Sequence, residues 1–121
     1  MELYNETRDA MIASRVSIAR NPWSRFRGLM LRRSLPEGHA LILDPGNGIH
    51  SFFMRFAFDA IFVDADWTVR YIVRGMRPWR MTRFVRGTKR VIEVPVGTCV
   101  ATATAVGDSL SLRAGSGEQA A

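Results

Sequence analysis

Three polar residues interrupt otherwise apolar runs of this chain, and acid–base chemistry would have to start from them. His50 lies in Ile49–Met54, Asp59 in Phe58–Val63 and Glu93 in Val91–Val94. A histidine with a carboxylate to orient its imidazole is a workable general acid–base pair. Strand register decides whether His50 and Asp59 can meet. A tight hairpin with Met54 opposite Phe58 puts Phe53 against Asp59 and sends His50 and Asp59 to opposite faces; a slip of one residue puts them on the same face. The alternative makes each a buried, hydrogen-bonded residue that fixes a loop at a strand end. Glu93 carries the same pair of readings: a third catalytic candidate, or a satisfied partner for a nearby Arg or for backbone amides. An enzyme built this way would have its pocket near the Asp44–Gly48 loop.

A second constellation is basic. Residues 70–90 hold Arg70, Arg74, Arg77, Arg80, Arg83, Arg86, Lys89 and Arg90 and no acidic residue. Those eight charges exceed the whole-chain net charge of +6, so the remainder is net −2. From Arg74 to Lys89 the charges recur at every third residue, a period that matches neither a strand face nor a helix stripe. They should fan around an irregular segment punctuated by Gly and Pro. Tyr71, Trp79 and Phe84 lie among them, and aromatic rings between basic groups suit stacking on single-stranded bases. The candidate binding residues are Arg74, Arg77, Trp79, Arg80, Arg83 and Arg86, and the candidate partners are a nucleic acid or another acidic molecule. The competing reading is a solvated basic edge that discourages strand pairing. Sixteen of the seventeen basic residues are Arg, a bias that points to genome composition as its source.

Other chemistries find no support. One Cys and two His, at 39 and 50, do not make a zinc site. Asp64-x-Asp66 lacks the Gly and Glu of a calcium loop and reads as a turn. There is no Gly-x-Ser-x-Gly elbow, and Gly46-Asn47-Gly48 leads into a strand, not the helix a phosphate loop needs. No metal and no cofactor are expected. Cys99 excludes an intrachain disulfide by being alone, and it reads as a small buried hydrophobe.

The elements that must position these residues are mostly short strands. Met11–Ala19 alternates, with Ile12, Val16 and Ile18 as apolar points, and reads as a first strand. Asn21-Pro22 is a helix start, Asn as N-cap and Pro at the first helical position. Trp23, Phe26, Leu29 and Met30 then recur at helical spacing, predicting an amphipathic helix over 22–33 with those residues buried and Arg25, Arg27 and Arg32 pointing elsewhere. Further strands are predicted at Ala40–Leu43, Ile49–Met54, Phe58–Val63, Trp67–Val73, Val91–Val94 and Ser109–Arg113, while Val100–Val106 is ambiguous. Parallel βαβ units are not expected, since long helical segments for the crossovers are missing. The expected fold is mainly β, a small single-domain sandwich or barrel over 1–121 with one helix at an open edge. Its core covers about 11–113, with flexible termini at 1–10 and 114–121. Residues 1–20 contain no apolar run of an export signal and no stretch reaches a bilayer span of about 20 residues, so a cytoplasmic protein is expected.

Several pieces, in order, resemble a known family. They are Arg27-Gly28-Leu29-Met30, then Leu35-Pro36, then the sixteen residues from Ile49 to Asp64, then Pro78-Trp79, Val91-Ile92-Glu93-Val94-Pro95-Val96-Gly97 and Gly107-Asp108. Across about Arg15 to Leu112 the chain resembles the family called domain of unknown function 192. Ala57 stands where that family usually has Pro, and Val96 where it usually has a smaller residue. The resemblance implies one β-rich domain with no agreed activity, in a family where many members look exported. The function expected from all of this is a noncatalytic binding or accessory domain. An enzyme built on His50 and Asp59, and weak nucleic-acid binding through 70–90, are the alternatives.

Overall fold

The computed structural model describes residues 1–115, so most of the tail expected to be flexible over 114–121 lies outside the described residues. Two sheets carry the architecture. A central five-stranded sheet has the order β3–β4–β7–β5–β6, with β3 at Arg15–Ala19, β4 at His39–Leu43, β5 at Phe58–Val63, β6 at Val69–Met76 and β7 at Arg90–Pro95. A three-stranded sheet has the order β2–β1–β8, with β1 at Glu2–Asn5, β2 at Ala10–Ala13 and β8 at Leu110–Arg113. The fold is mainly β, with a short helix α1 at Pro22–Arg27 and a single turn of helix, α2, at Thr98–Ala101.

β5 shows why the central sheet sits where it does. All six of its residues are buried, which follows from covering both faces of a strand with no polar side except Asp59. Period-two alternation sends Phe58, Ala60 and Phe62 to one face, where they join Leu41, Leu43 and Val91. Ile61 and Val63 go to the other, with Ala40, Ile42, Ile92 and Val94. The second face is closed by Leu3, Ile12, Ala13 and Leu110 of the three-stranded sheet, making a sandwich. The first is covered by irregular chain that brings Leu29, Leu35, Ile49, Met54 and Val85 onto it. Phe58 and Phe62 are fully buried, each worth roughly 2–3 kcal/mol of apolar transfer.

The structure corrects several expectations. Residues 1–10 are not a loose terminus: β1 pairs with both β2 and β8, Leu3 is fully buried, and buried Asn5 donates to Thr104 Oγ1 and Asp108 Oδ2. The run Met11–Ala19 is two strands in two sheets. It breaks at Ser14, where the N–H groups of Ser14 and Arg15 both donate to Gly38 O. β3 and β4 pair in parallel, so one crossover does exist; residues 20–38 are long enough to make it with only six helical residues.

The helix starts as expected, with Asn21 accepting from the Ser24 N–H and Pro22 in the first turn. It ends at Arg27 rather than Arg33, because Gly28 takes a φ of 46° and turns the chain so that Leu29 enters the core. Trp23 and Phe26 therefore stay on the surface, 68% and 56% exposed. Ile49–Met54 is not a strand. It pairs only through a bridge of His50 with Met81 and then turns at Phe53, so β5 finds its hairpin partner in β6 instead.

Candidate functional site

Register places Glu93 in the middle of the central sheet, opposite Leu41 on β4 and Ala60 on β5. Its neighbour Val91 belongs to the cluster under α1, so alternation points the carboxyl to that face. Glu93 is 2% exposed, and its Oε2 has no hydrogen-bond partner. A buried carboxyl without a partner is costly, and burial pushes its pKa up to about 8 against the opposing influence of the Arg32 charge. The expectation that Glu93 is satisfied by an Arg or by backbone amides is thus not met.

The carboxyl faces a cavity of about 320 Å³ between α1 and the Pro45–Gly48 loop. Gly28 roofs it, and a Cβ there would lie at ordinary contact distance, 3.6 Å, from Glu93 Oε1. Phe26, Leu29, Leu43, Ile49 and Met54 supply apolar walls. Arg25 enters from α1: one terminal nitrogen donates to Pro45 O at 3.1 Å, while its buried Nε has no partner. Two residues that line the cavity, Glu93 and Arg25, thus each carry a buried polar atom without a partner. Arg25, expected to point away from the core, is the site residue that sequence reasoning missed. The short helix rotates it inward, and only Gly28, ending that helix, carries a local signal of this.

His50 also lines the cavity, at the position expected near the 44–48 loop. Both of its ring nitrogens are engaged. Nδ1 accepts from the Phe52 N–H at 3.1 Å, which leaves Nε2 to carry the proton and donate to Phe26 O at 3.2 Å. The ring clasps the 50–52 turn to α1 and has no nitrogen left for a base's work. Asp59 lies on the opposite face of the sheet, where Oδ1 accepts from the Gly75 N–H at 2.8 Å and Oδ2 from the Cys99 N–H at 3.0 Å. The two residues do not form a pair. Cys99 is buried, and burial together with the adjacent Asp59 carboxylate pushes its thiol up to about 12, so it is inert.

The basic segment separates into tethered and free groups. Arg70 pairs with Asp64 and Arg90 with Asp44, and Arg74 donates to Thr104 O. Arg77, Arg80 and Arg83 line a second depression of about 480 Å³, floored by Tyr71, Val73 and Met76 of β6, and Arg83 lies over the Tyr71 ring. Trp79 and Arg86 are exposed. Among the described residues none of Arg77, Arg80, Arg83 and Arg86 makes an ion pair, and no helix is long and apolar enough to cross a membrane.

The fold and the cavity define a small two-sheet β domain with a buried carboxyl opening on a pocket. Residues 4–112 match the profile of DUF192, described as uncharacterised, and the chain belongs to that family. A UPF0127 protein of Pyrococcus abyssi is 38% identical over 114 residues, covering 89% of this chain and 94% of that one. One from Thermococcus sibiricus is 36% identical over 112 residues, covering 89% of this chain and 72% of the other. A crystal structure of a Novosphingobium aromaticivorans protein of unknown function superposes with a TM-score of 0.80 at 20% identity, covering 92% of this chain and 82% of that chain. That likeness shows the fold alone.

Proposed function

We propose that this chain is a binding domain, not an enzyme, and that the cavity beneath α1 takes a small carboxylate with a short apolar body. The observation that carries this reading is the unpartnered Glu93 carboxyl, buried in the central sheet and facing the cavity. Folds retain such groups at a cost, and functional sites are where the cost is tolerated. The ligand class follows from the donors. With its pKa near 8, Glu93 is protonated at neutral pH and offers an O–H. Arg25 offers its Nε–H and a positive charge, and Arg32 adds a second charge nearby. Two donors and a net positive field select an acceptor-rich anion, and the aliphatic and aromatic walls accommodate a few carbons. A raised carboxyl pKa also suits a general acid, but the engagement of both His50 nitrogens leaves it without a partner base.

Titration calorimetry of butyrate and similar short carboxylates tests the proposal. Binding is expected at pH 6 and should weaken at least tenfold by pH 9, as Glu93 ionises and repels the anion. Glu93→Leu is expected to abolish binding while raising the stability of the unligated protein by about 1–4 kcal/mol, because it removes a buried group with no partner. Equal binding by the variant would place the ligand elsewhere; a loss of stability would mean that Glu93 is satisfied.

A further inference from the structure

On the same side of the molecule exposed and half-buried aromatic side chains form a ladder. Ring centroids of Trp23 and Phe26 are 6.1 Å apart, Phe26 and His50 5.2 Å, His50 and Phe52 5.1 Å, Phe52 and Trp79 6.0 Å, and Trp79 and Phe53 4.7 Å. Trp23, Phe26, Phe53 and Trp79 are each more than half exposed. A single exposed aromatic needs no explanation, whereas a contiguous run of them marks an interaction surface.

Two of the rings are held outward by unfavourable backbone. Phe53 and Trp79 have φ of 64° and 63°, a left-handed conformation that costs a bulky residue roughly 1–2 kcal/mol. Buried Ser51 locks both turns together: its backbone accepts from the Trp79 N–H and donates to Arg80 O, and its hydroxyl donates to Arg77 O. Asp9, Leu31, Trp67 and Ala103 share this φ, but only at Phe53 and Trp79 do two such residues bring their tilted rings together, 4.7 Å apart, and folds tolerate strain of this kind at functional surfaces.

The charge around the ladder has one sign. Residues 20–36, 45–58 and 77–86, which carry the rings and their flanks, contain ten Arg and no Asp or Glu. Nine of those ten are exposed; Arg25 is turned into the cavity. Next to Trp79, the depression lined by Arg77, Arg80 and Arg83 offers three guanidinium groups without carboxylate partners. We propose that this face binds single-stranded nucleic acid, with bases stacked on Trp23, Phe26, Phe53 and Trp79 and phosphates held by Arg77, Arg80 and Arg83. Unpaired bases present π-faces to such rings; in a duplex those faces are already stacked on each other. Guanidinium groups grouped at one end of a run of tilted rings fit a chain that offers both phosphate and unpaired base, whereas a lipid surface calls for a continuous apolar wedge with charges at its rim.

The test uses fluorescence anisotropy of a labelled oligothymidylate and an oligouridylate, with heparin and phosphatidylserine vesicles as the other probes. Three phosphate contacts predict a slope of log K against log salt of about −2, and joint replacement of Arg77, Arg80 and Arg83 by Ala should remove most of it. Trp79→Ala and Trp23→Ala should each weaken binding about 5- to 150-fold, the effect of losing one stacked base. Val106→Ala, which removes an exposed apolar side chain outside the ladder, should leave it unchanged. If oligonucleotides fail to bind at low salt, the proposal is wrong. If heparin binds as tightly and the Trp variants have no effect, the face is a plain cationic surface. If vesicles bind and oligonucleotides do not, it is a membrane contact.

Discussion

Two acidic side chains lie in the same sheet, on adjacent strands, and they have opposite fates. Asp59 on β5 faces the three-stranded sheet and accepts two backbone N–H groups. Glu93 on β7 faces α1 and leaves Oε2 with nothing. The same contrast holds for the two faces as wholes. On the closed face Asn5, Thr104 and Asp108 bind one another or nearby backbone, and Arg8 completes the set. On the open face His50 and Ser51 are engaged, but Arg25 Nε and Glu93 Oε2 are unpartnered, and Trp23, Phe26, Phe53 and Trp79 face water. The carboxyl groups of the closed face hold the sandwich shut; the one on the open face is left beside a cavity. Burial alone does not separate a structural acid from a site acid, since both are nearly inaccessible; the partner list does.

The sharpest way to break this comparison is Asp59→Leu. It strands the N–H groups of Gly75 and Cys99 and should cost about 3–5 kcal/mol in urea denaturation; a cost below about 1 kcal/mol would make Asp59 no more structural than Glu93. The next effect is on pH. Folded Glu93 keeps its proton up to about pH 8, whereas the unfolded chain releases it near 4.5. The folded state therefore binds the extra proton in that window, and stability falls as pH rises from 4.5 to 8 and is flat above. Relative to Glu93→Leu the loss should approach about 1.4 kcal/mol per pH unit, on the order of 5 kcal/mol across the window. Parallel stability curves for the two proteins would remove the distinction. The smallest effect is Trp23→Ala, which should shift stability by no more than about 0.5 kcal/mol because the side chain lies on the surface.

How much of this was legible follows from how local each cause is. β5 and β7 could be read because a continuous apolar run bounded by turn residues has few other uses, and the Asn21-Pro22 helix start is a rule of a few adjacent atoms. His50, Asp59 and Glu93 stood out as polar interruptions, and the enzyme reading put them together beside the Asp44–Gly48 loop; His50 and Glu93 line the cavity there and Asp59 does not. The segment 49–54 misled because its composition is that of a strand. What sets it apart is the left-handed Phe53 and the tie from Ser51 to Arg80, some thirty residues away. β1 was invisible for a related reason: its Asn5 is buried by partners at Thr104 and Asp108, at the far end of the chain. The helix was overextended because Trp23, Phe26 and Met30 have the right spacing for a buried stripe. Gly28 overrides it by turning Leu29 inward, and that choice depends on the cavity and on the sheet beneath it.

The pairing of β1 with β8 has a consequence for how the molecule comes into being. Glu2 lies opposite Arg113 and Asn5 opposite Leu110, so β1 leaves the ribosome well before β8, its neighbour in the sheet. All five strands of the central sheet are available once residue 95 has emerged. Until β8 follows, Leu3, Ile12 and the face of Ile61 and Ile92 lack part of their cover. Closing so long a loop costs little more entropy than closing a short one, but it sets an order of events. The nascent domain therefore carries a sticky apolar patch until β8 has emerged, and a chain stalled before residue 110 should be a client for chaperones that recognise exposed hydrophobic surface.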